Sequence, residues 1–271
     1  NDISLLRENL NAKQITKLDY LTGYQESISG NLELAISHLD RVIGQDKFLE
    51  LKYRAIITKV NMFTFTDNYQ EGFVLVKRLL PLIPRMKEKN SLHNALFVVS
   101  MFYNRLFQWN LSNKYVQQLL DSSPSPRFAC LASMLQVEAN YKLKTLTWQN
   151  IDDNLVDVCE SVNELIASNV IYSFMAKFYV DHNEADLALN LLKQQLPSAL
   201  STEYYMLINE YYSLMSKAYL IKKEYFTALN FAEKVLASSK PSHKSDAIIR
   251  ANEVFYLVYK HLGNYEESLK Y

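Results

Sequence analysis

The sequence predicts an all-α fold, a solenoid of about seven stacked helical hairpins, and three observations lead there. A small residue recurs with an aromatic three positions ahead of it: Tyr69 before Gly72, Trp109 before Ser112, Tyr225 before Ala228, Tyr265 before Ser268. Adding weaker copies gives Leu32, Tyr69, Trp109, Trp148, Ala185, Tyr225 and Tyr265, at intervals of 37, 40, 39, 37, 40 and 40 residues. Such periods mark helical arrays, in which each hairpin buries its apolar face only against its neighbours. Finally, 5 Gly and 6 Pro beside 49% hydrophobic residues leave little turn chemistry for a sandwich or barrel, and no run alternates with period two.

Taken in order, each unit has a first helix ending near a short turn and a second helix opening at its anchor residue. Unit one carries the small contact Gly23, then Glu26, the anchor Leu32 and the second contact Ala35. In unit two the same places are Val60, Phe63, Tyr69 and Gly72, with Asp67 and Gln70 spaced as a helix start; in unit three they are Ser100, Tyr103, Trp109 and Ser112. Unit four, with Ala139, Lys142, Trp148 and Ile151, is the poorest match. Units five to seven read Ala176, Tyr179, Ala185, Ala188; Ser216, Tyr219, Tyr225, Ala228; and Tyr256, Tyr259, Tyr265, Ser268. Asn183 with Asp186 and Asn264 with Glu267 supply two further helix starts. Pro81, Pro84, Pro124, Pro126, Pro197 and Pro241 are expected between units, where a helix must stop. The pattern runs through residues 1–271, so one domain without a linker is expected.

Lys plus Arg and Asp plus Glu both total 29, so no overall field draws the chain to phosphate backbones or anionic lipid, and no nucleic-acid partner is expected. The longest apolar stretch, around Ala95 to Phe102, is far short of the roughly 20 residues of a membrane span. A start at Asn1 without Met and an end at Tyr271 within a helical pattern read as an excised fragment of a longer protein. The two cysteines, Cys130 and Cys159, fall at the start and near the end of one hairpin. They are expected as packed free thiols, with a bond as the alternative.

No local catalytic machinery is present: there is no Gly-x-x-x-x-Gly-Lys segment and no Gly-x-Ser-x-Gly elbow, so the chain is not expected to be an enzyme and no cofactor is implied. His38, His93, His182, His243 and His261 lack metal-ligand spacing and read as solvated or locally hydrogen-bonded. Asp152-Asp153 and Glu266-Glu267 diverge by about 100° on a helix and read as solvated faces. The rings Tyr103, Tyr179, Tyr219 and Tyr259 are expected to pack between helices, with ligand stacking as the alternative.

This small-aromatic-small rhythm, with prolines such as Pro84 and Pro124 after second helices, resembles tetratricopeptide-repeat proteins. The chain departs from them in its period, nearer 39 than 34, and in lacking an intact Trp-x-x-Leu-Gly opening. A HEAT-type array, with a period of about 40 to 47, is the structural alternative. The phrases Leu21-Thr22-Gly23-Tyr24, Ser29-Gly30-Asn31, Leu80-Pro81-Leu82-Ile83-Pro84 and Phe102-Tyr103-Asn104 are similar to the extracytoplasmic tetratricopeptide domains that precede a membrane helix and a GGDEF diguanylate cyclase domain in marine gamma-proteobacteria. The resemblance implies a right-handed superhelix and a periplasmic sensory module regulating an attached cyclase, tethered to the inner membrane only through segments absent from this chain. No Gly-Gly-Asp-Glu-Phe segment occurs here. A constitutive scaffold, in the cytoplasm or elsewhere, is the alternative function.

In arrays of this family the first helices line a concave groove. Carried onto this sequence, that places Tyr20, Tyr24, Asn61, Asn104, Arg105, Asn140, Lys177 and Lys217 on the binding face, with Asn94 and Ser213 among their neighbours. Asn side chains suit the backbone of an extended peptide, and Arg105, Lys177 and Lys217 suit a carboxylate. The expected partner is a peptide, a protein or a small molecule in the groove, and a homodimer is among the expectations.

Overall fold

A computed structural model describes residues 10–151, 154–238 and 244–271. Asp152, Asp153, Pro241 and His243 lie outside them. The described residues form fourteen α-helices and no strand. In chain order these are α1 (Ala12–Ser29), α2 (Leu32–Ile43), α3 (Leu49–Phe65), α4 (Tyr69–Leu79), α5 (Lys89–Arg105), α6 (Trp109–Asp121) and α7 (Pro126–Lys142). Then come α8 (Asn154–Ser161), α9 (Leu165–Asp181), α10 (Ala185–Ser201), α11 (Tyr205–Ile221), α12 (Tyr225–Ala237), α13 (Lys244–His261) and α14 (Tyr265–Ser268). They gather in two compact units, Asn1–Phe128 and Ala129–Tyr271. Consecutive helices pack together from α1 to α6 in the first unit and from α8 to α14 in the second, and odd-numbered helices also pack on one another: α1 on α3 and α3 on α5 in the first, α9 on α11 and α11 on α13 in the second.

Six of the anchors, Leu32, Tyr69, Trp109, Ala185, Tyr225 and Tyr265, are each the first residue of an even-numbered helix. The reason lies two residues earlier, where Gly30, Asp67, Phe107, Asn183, Lys223 and Gly263 all have a left-handed backbone, with φ between 57° and 83°. At each of these turns the following amide donates back five residues, Asn31 to Glu26, Asn68 to Phe63, Gln108 to Tyr103, Glu184 to Tyr179, Glu224 to Tyr219 and Asn264 to Tyr259. That is the Schellman closure, which satisfies carbonyls a helix end leaves open. Asp67 and Asn183 therefore hold the left-handed turn position and do not cap the next helix, a place their short polar side chains tolerate better than most. Asn264 does cap, its side chain accepting from the Glu267 amide at 3.2 Å.

The predicted close contacts are close. Val60, Ser100, Ala139, Ala176 and Ser216 on first helices are fully buried, as are Ala35, Ser112, Ala188 and Ala228 on second helices. Ser216 Oγ donates across its hairpin to the Ala228 carbonyl at 2.6 Å, and Ser268 Oγ to the Tyr256 carbonyl at 3.1 Å, both over a spacing of 12 residues. Tyr256 itself departs from the pattern: the residue is 37% exposed beside the four-residue α14. The tyrosine rings pack over the same spacing: Tyr103 stacks on Tyr115, Tyr219 on Phe231 and Tyr259 on Tyr271, with centroids 5.5 to 5.9 Å apart. Tyr179 instead stacks on Trp148 at 5.8 Å.

Between hairpins, Gly72 makes room for the next one. A Cβ there would stand 2.6 Å from Cε2 of Phe102, a fully buried ring on α5. Gly72→Ala is expected to destabilise the first unit by about 1–3 kcal/mol, because overpacking a fixed ring outweighs the roughly 1 kcal/mol that alanine adds to a helix interior. Urea denaturation checks this, and a variant as stable as the parent would show that Phe102 yields freely.

Three expectations are corrected. Pro197 lies inside α10, not between units, and Pro126 is the first residue of α7, where its missing N–H is one that a helix start leaves unpaired. In the fourth hairpin Trp148 opens only a three-residue 3-10 turn, and Ile151 is buried outside any helix. Cys130 and Cys159, both fully buried, form a disulfide, because the start of α7 and the end of α8 meet. The second unit has one continuous core running from these cysteines through Ile171, Met175, Leu192 and Tyr211 to Val258.

Candidate functional site

Two pockets, one in each unit, are lined by odd-numbered helices. In the first unit an open pocket of about 370 Å³ is bounded by Tyr20 of α1, Arg54 of α3, Asn90, Ser91 and Asn94 of α5, and Ser125, Arg127 and Phe128 at the start of α7. In the second unit a smaller pocket, about 140 Å³, is bounded by Tyr141 of α7, Lys177, Val180 and Asp181 of α9, Glu210, Ser213, Leu214 and Lys217 of α11, and Arg250 of α13.

The chemistry of the second-unit pocket is that of a balanced ion network. Glu210, its side chain 15% exposed, takes Lys177 Nζ at 3.1 Å and is also paired with Arg250. Burial pushes the Glu210 carboxyl up, but Lys177 and then Arg250 outweigh it and hold its pKa below the usual range. Lys177 also lies 4.2 Å from the centroid of Phe174, a cation–π contact, and Lys217 Nζ stands 2.7 Å from Glu253. Tyr141 donates to Asp181 at 2.7 Å, and its phenol is pushed well above its ordinary value by burial, then by that carboxylate. Lys177 and Lys217 are thus already matched by acids of the next odd helix.

The first-unit pocket is wider and its lining holds two arginines and no acid. Arg54 Nη2 donates to Glu88 at 2.6 Å and its Nε reaches Glu50 at 3.4 Å, while the buried Ser91 hydroxyl donates to Glu50. Burial first, and the neighbouring Glu88 second among the raising influences, push the Glu50 carboxyl up, whereas Glu88 is lowered through its hydrogen bonds to Glu50 and Arg54. Phe128 is held by His93, ring to ring at 5.7 Å. His93 departs from the expectation of a solvated or hydrogen-bonded ring: it is buried on α5 and neither ring nitrogen has a partner.

Of the residues carried over from the family, Tyr20 lines the first pocket and stacks on the exposed Tyr24 at 6.2 Å, while Lys177 and Lys217 line the second. Asn61, Asn104, Arg105 and Asn140 border neither pocket. Asn104 is 4% exposed, and its amide nitrogen is buried without a partner. Arg105 is exposed and lies over the Phe65 ring at 5.9 Å. Asn140 and Asn61 are half-buried, and the Asn140 carbonyl caps the end of α7 by accepting from the Thr145 amide at 2.9 Å.

Sequence reading missed Arg54, Asn90 and Arg127. They sit a full turn or more away from the small-contact register that guided the search, and none belongs to a motif.

Among the described residues no group of three His, Cys, Asp or Glu is placed to hold a metal ion, and no helix is long and apolar enough to cross a membrane. No protein-family model matches the chain, and comparison with curated proteins returns no match.

Proposed function

We propose that the chain is a binding module of the tetratricopeptide type, about seven hairpins in a right-handed superhelix, which takes a peptide, a protein segment or a small molecule on its first helices. One observation carries this reading: each unit has a pocket lined by odd-numbered helices or the start of α7, the face such an array offers a ligand. The recurring left-handed turns, which set each second helix in the same relation to its first, support the repeat architecture.

The module acts as a sensor and relays occupancy to an attached diguanylate cyclase domain, as its resemblance to extracytoplasmic sensory domains implies. Small rotations at each hairpin interface add up along an array, which is how occupancy becomes a mechanical signal. The buried disulfide supports a periplasmic location, since oxidising compartments are where structural disulfides persist. A constitutive scaffold is the second reading. Phe107, 75% exposed and in the left-handed region, and Phe65, 61% exposed, favour a protein partner on the turn edge of the first unit.

Selection of a random peptide library on the chain tests the groove. Selected binders are expected to weaken about tenfold or more, near 1.4 kcal/mol, with Asn94→Ala or Ser213→Ala on odd helices, and to be indifferent to Glu71→Ala or Gln117→Ala on even ones. Binders that follow the even-numbered helices would overturn the proposal. A ligand that binds without changing hydrogen exchange at the hairpin interfaces would favour the scaffold over the sensor.

A further inference from the structure

The seventh hairpin leaves uncovered a face of its first helix that the neighbouring hairpins close. Ile249 of α13 follows Asn209 of α11 by 40 residues, and Asn209 follows Asn169 of α9 by 40. Those two asparagines are 7% and 0% exposed, because the second helix of each hairpin covers them. Asn169 donates to Ser198 of α10 at 2.8 Å, and Asn209 accepts from Ser238 at the end of α12. Ile249 is 68% exposed. Tyr256 repeats the contrast, exposed where Ser216 and Ala176 are fully buried. The cause is length: α10 and α12 run for 17 and 13 residues, α14 for 4. Ile248, also exposed, and the half-buried Asn252 complete the face.

We propose that this face is a dimer interface, on which a second copy of the chain lays its own α13 antiparallel, in the place a full second helix holds in other hairpins. The two helices of a hairpin are antiparallel, and a twofold axis across α13 brings its mate in that same sense. With the axis beside Asn252, Ile249 of each copy meets Tyr256 of the other, so the stripe is complementary to itself. The two Asn252 amides then face each other, and each can donate and accept at once. Electrostatics favours a second copy as the occupant. Lys plus Arg and Asp plus Glu both total 29, so two copies approach without net repulsion. The charged groups flanking the stripe are neutralised within each copy, Glu253 by Lys217 and Arg250 by Glu210. Arrays of hairpins stay soluble as monomers by ending on a polar outer face, and an exposed apolar one marks a site of association.

None of Ile248, Ile249 and Tyr256 borders either pocket, so the dimer and the groove stand or fall separately. Sedimentation of the full chain across the micromolar range tests the interface. The parent is expected to sediment as a dimer that dissociates on dilution, with a melting temperature that rises with concentration. Ile249→Asp is expected to weaken association at least about tenfold, since each dimer carries the change twice, and to leave the helical circular dichroism of the monomer unchanged because Ile249 is mostly exposed. Leu21→Asp, at an exposed apolar position on α1, is expected to leave the dimer intact. Asn252→Cys places one thiol of each copy beside the axis while the native cysteines remain bonded and buried, so mild oxidation is expected to give a covalent dimer. A parent that stays monomeric throughout, a dimer indifferent to Ile249→Asp, or an Asn252→Cys dimer that resists cross-linking would each overturn the assignment. So would an open-ended assembly that depends on Leu21, which is the mark of head-to-tail contact.

Discussion

Opening the Cys130–Cys159 bond is expected to lower the stability of the second unit by about 3–4 kcal/mol. The bond closes a loop with a sequence separation of 29, and the loss of chain entropy on cross-linking the unfolded state over such a span has that size. Its place in the fold makes the loss hard to absorb. In the fourth hairpin the second helix is reduced to the eight residues of α8, preceded by a 3-10 turn, so the covalent link holds α8 against α7 where five other hairpins use a packed second helix of 11 to 17 residues. Both cysteines are fully buried at one end of the core that continues to Val258. Guanidinium denaturation of oxidised protein, reduced protein and Cys130→Ala with Cys159→Ala decides the matter. The two open forms should unfold together at a lower midpoint, and coincidence of all three curves would show that the link adds nothing to packing.

Glu210→Gln is expected to cost about 2–4 kcal/mol, since removing one charge from a buried group leaves its partners uncompensated. Here there are two, Lys177 from α9 and Arg250 from α13, so one carboxylate of α11 ties three odd-numbered helices together. The pH dependence has a definite sign. With its folded pKa held below the ordinary glutamate value of 4.5, the Glu210 carboxylate stabilises the fold fully above that value, and the contribution is lost as pH falls through the lower folded value. Stability of the parent should therefore decline below about pH 4.5 more steeply than that of the variant, and the two curves should converge in acid. Parallel curves over that range would show that the ion network is neutral in the balance of folding.

Most of the architecture was legible in the sequence because it is local and repeated. A left-handed turn closed by a six-to-one hydrogen bond recurs at Gly30, Asp67, Phe107, Asn183, Lys223 and Gly263, so the start of every even helix but α8 can be read from a short window. Close crossing demands small side chains, so Ala35, Ser112, Ala188 and Ala228 announce the hairpin contact by their size alone. The exceptions are instructive: the fourth hairpin lost its rhythm where a disulfide took over, and Tyr256 is exposed where its counterparts are buried.

The character of the binding face was decided by tertiary structure. Nothing within one hairpin says that Lys177 will meet Glu210, or Lys217 meet Glu253, because long flexible side chains pair across neighbouring helices by reach and burial. For the same reason Lys177 and Lys217, which look free in the sequence, are matched by acids in the fold, and Arg54, unremarked in the sequence, is held by Glu50 and Glu88 at the edge of a pocket. Periodicity prescribes where helices begin and which residues touch within a hairpin. Which charges remain for a ligand depends on how separate hairpins stack, and that is settled only when their side chains compete for the same partners.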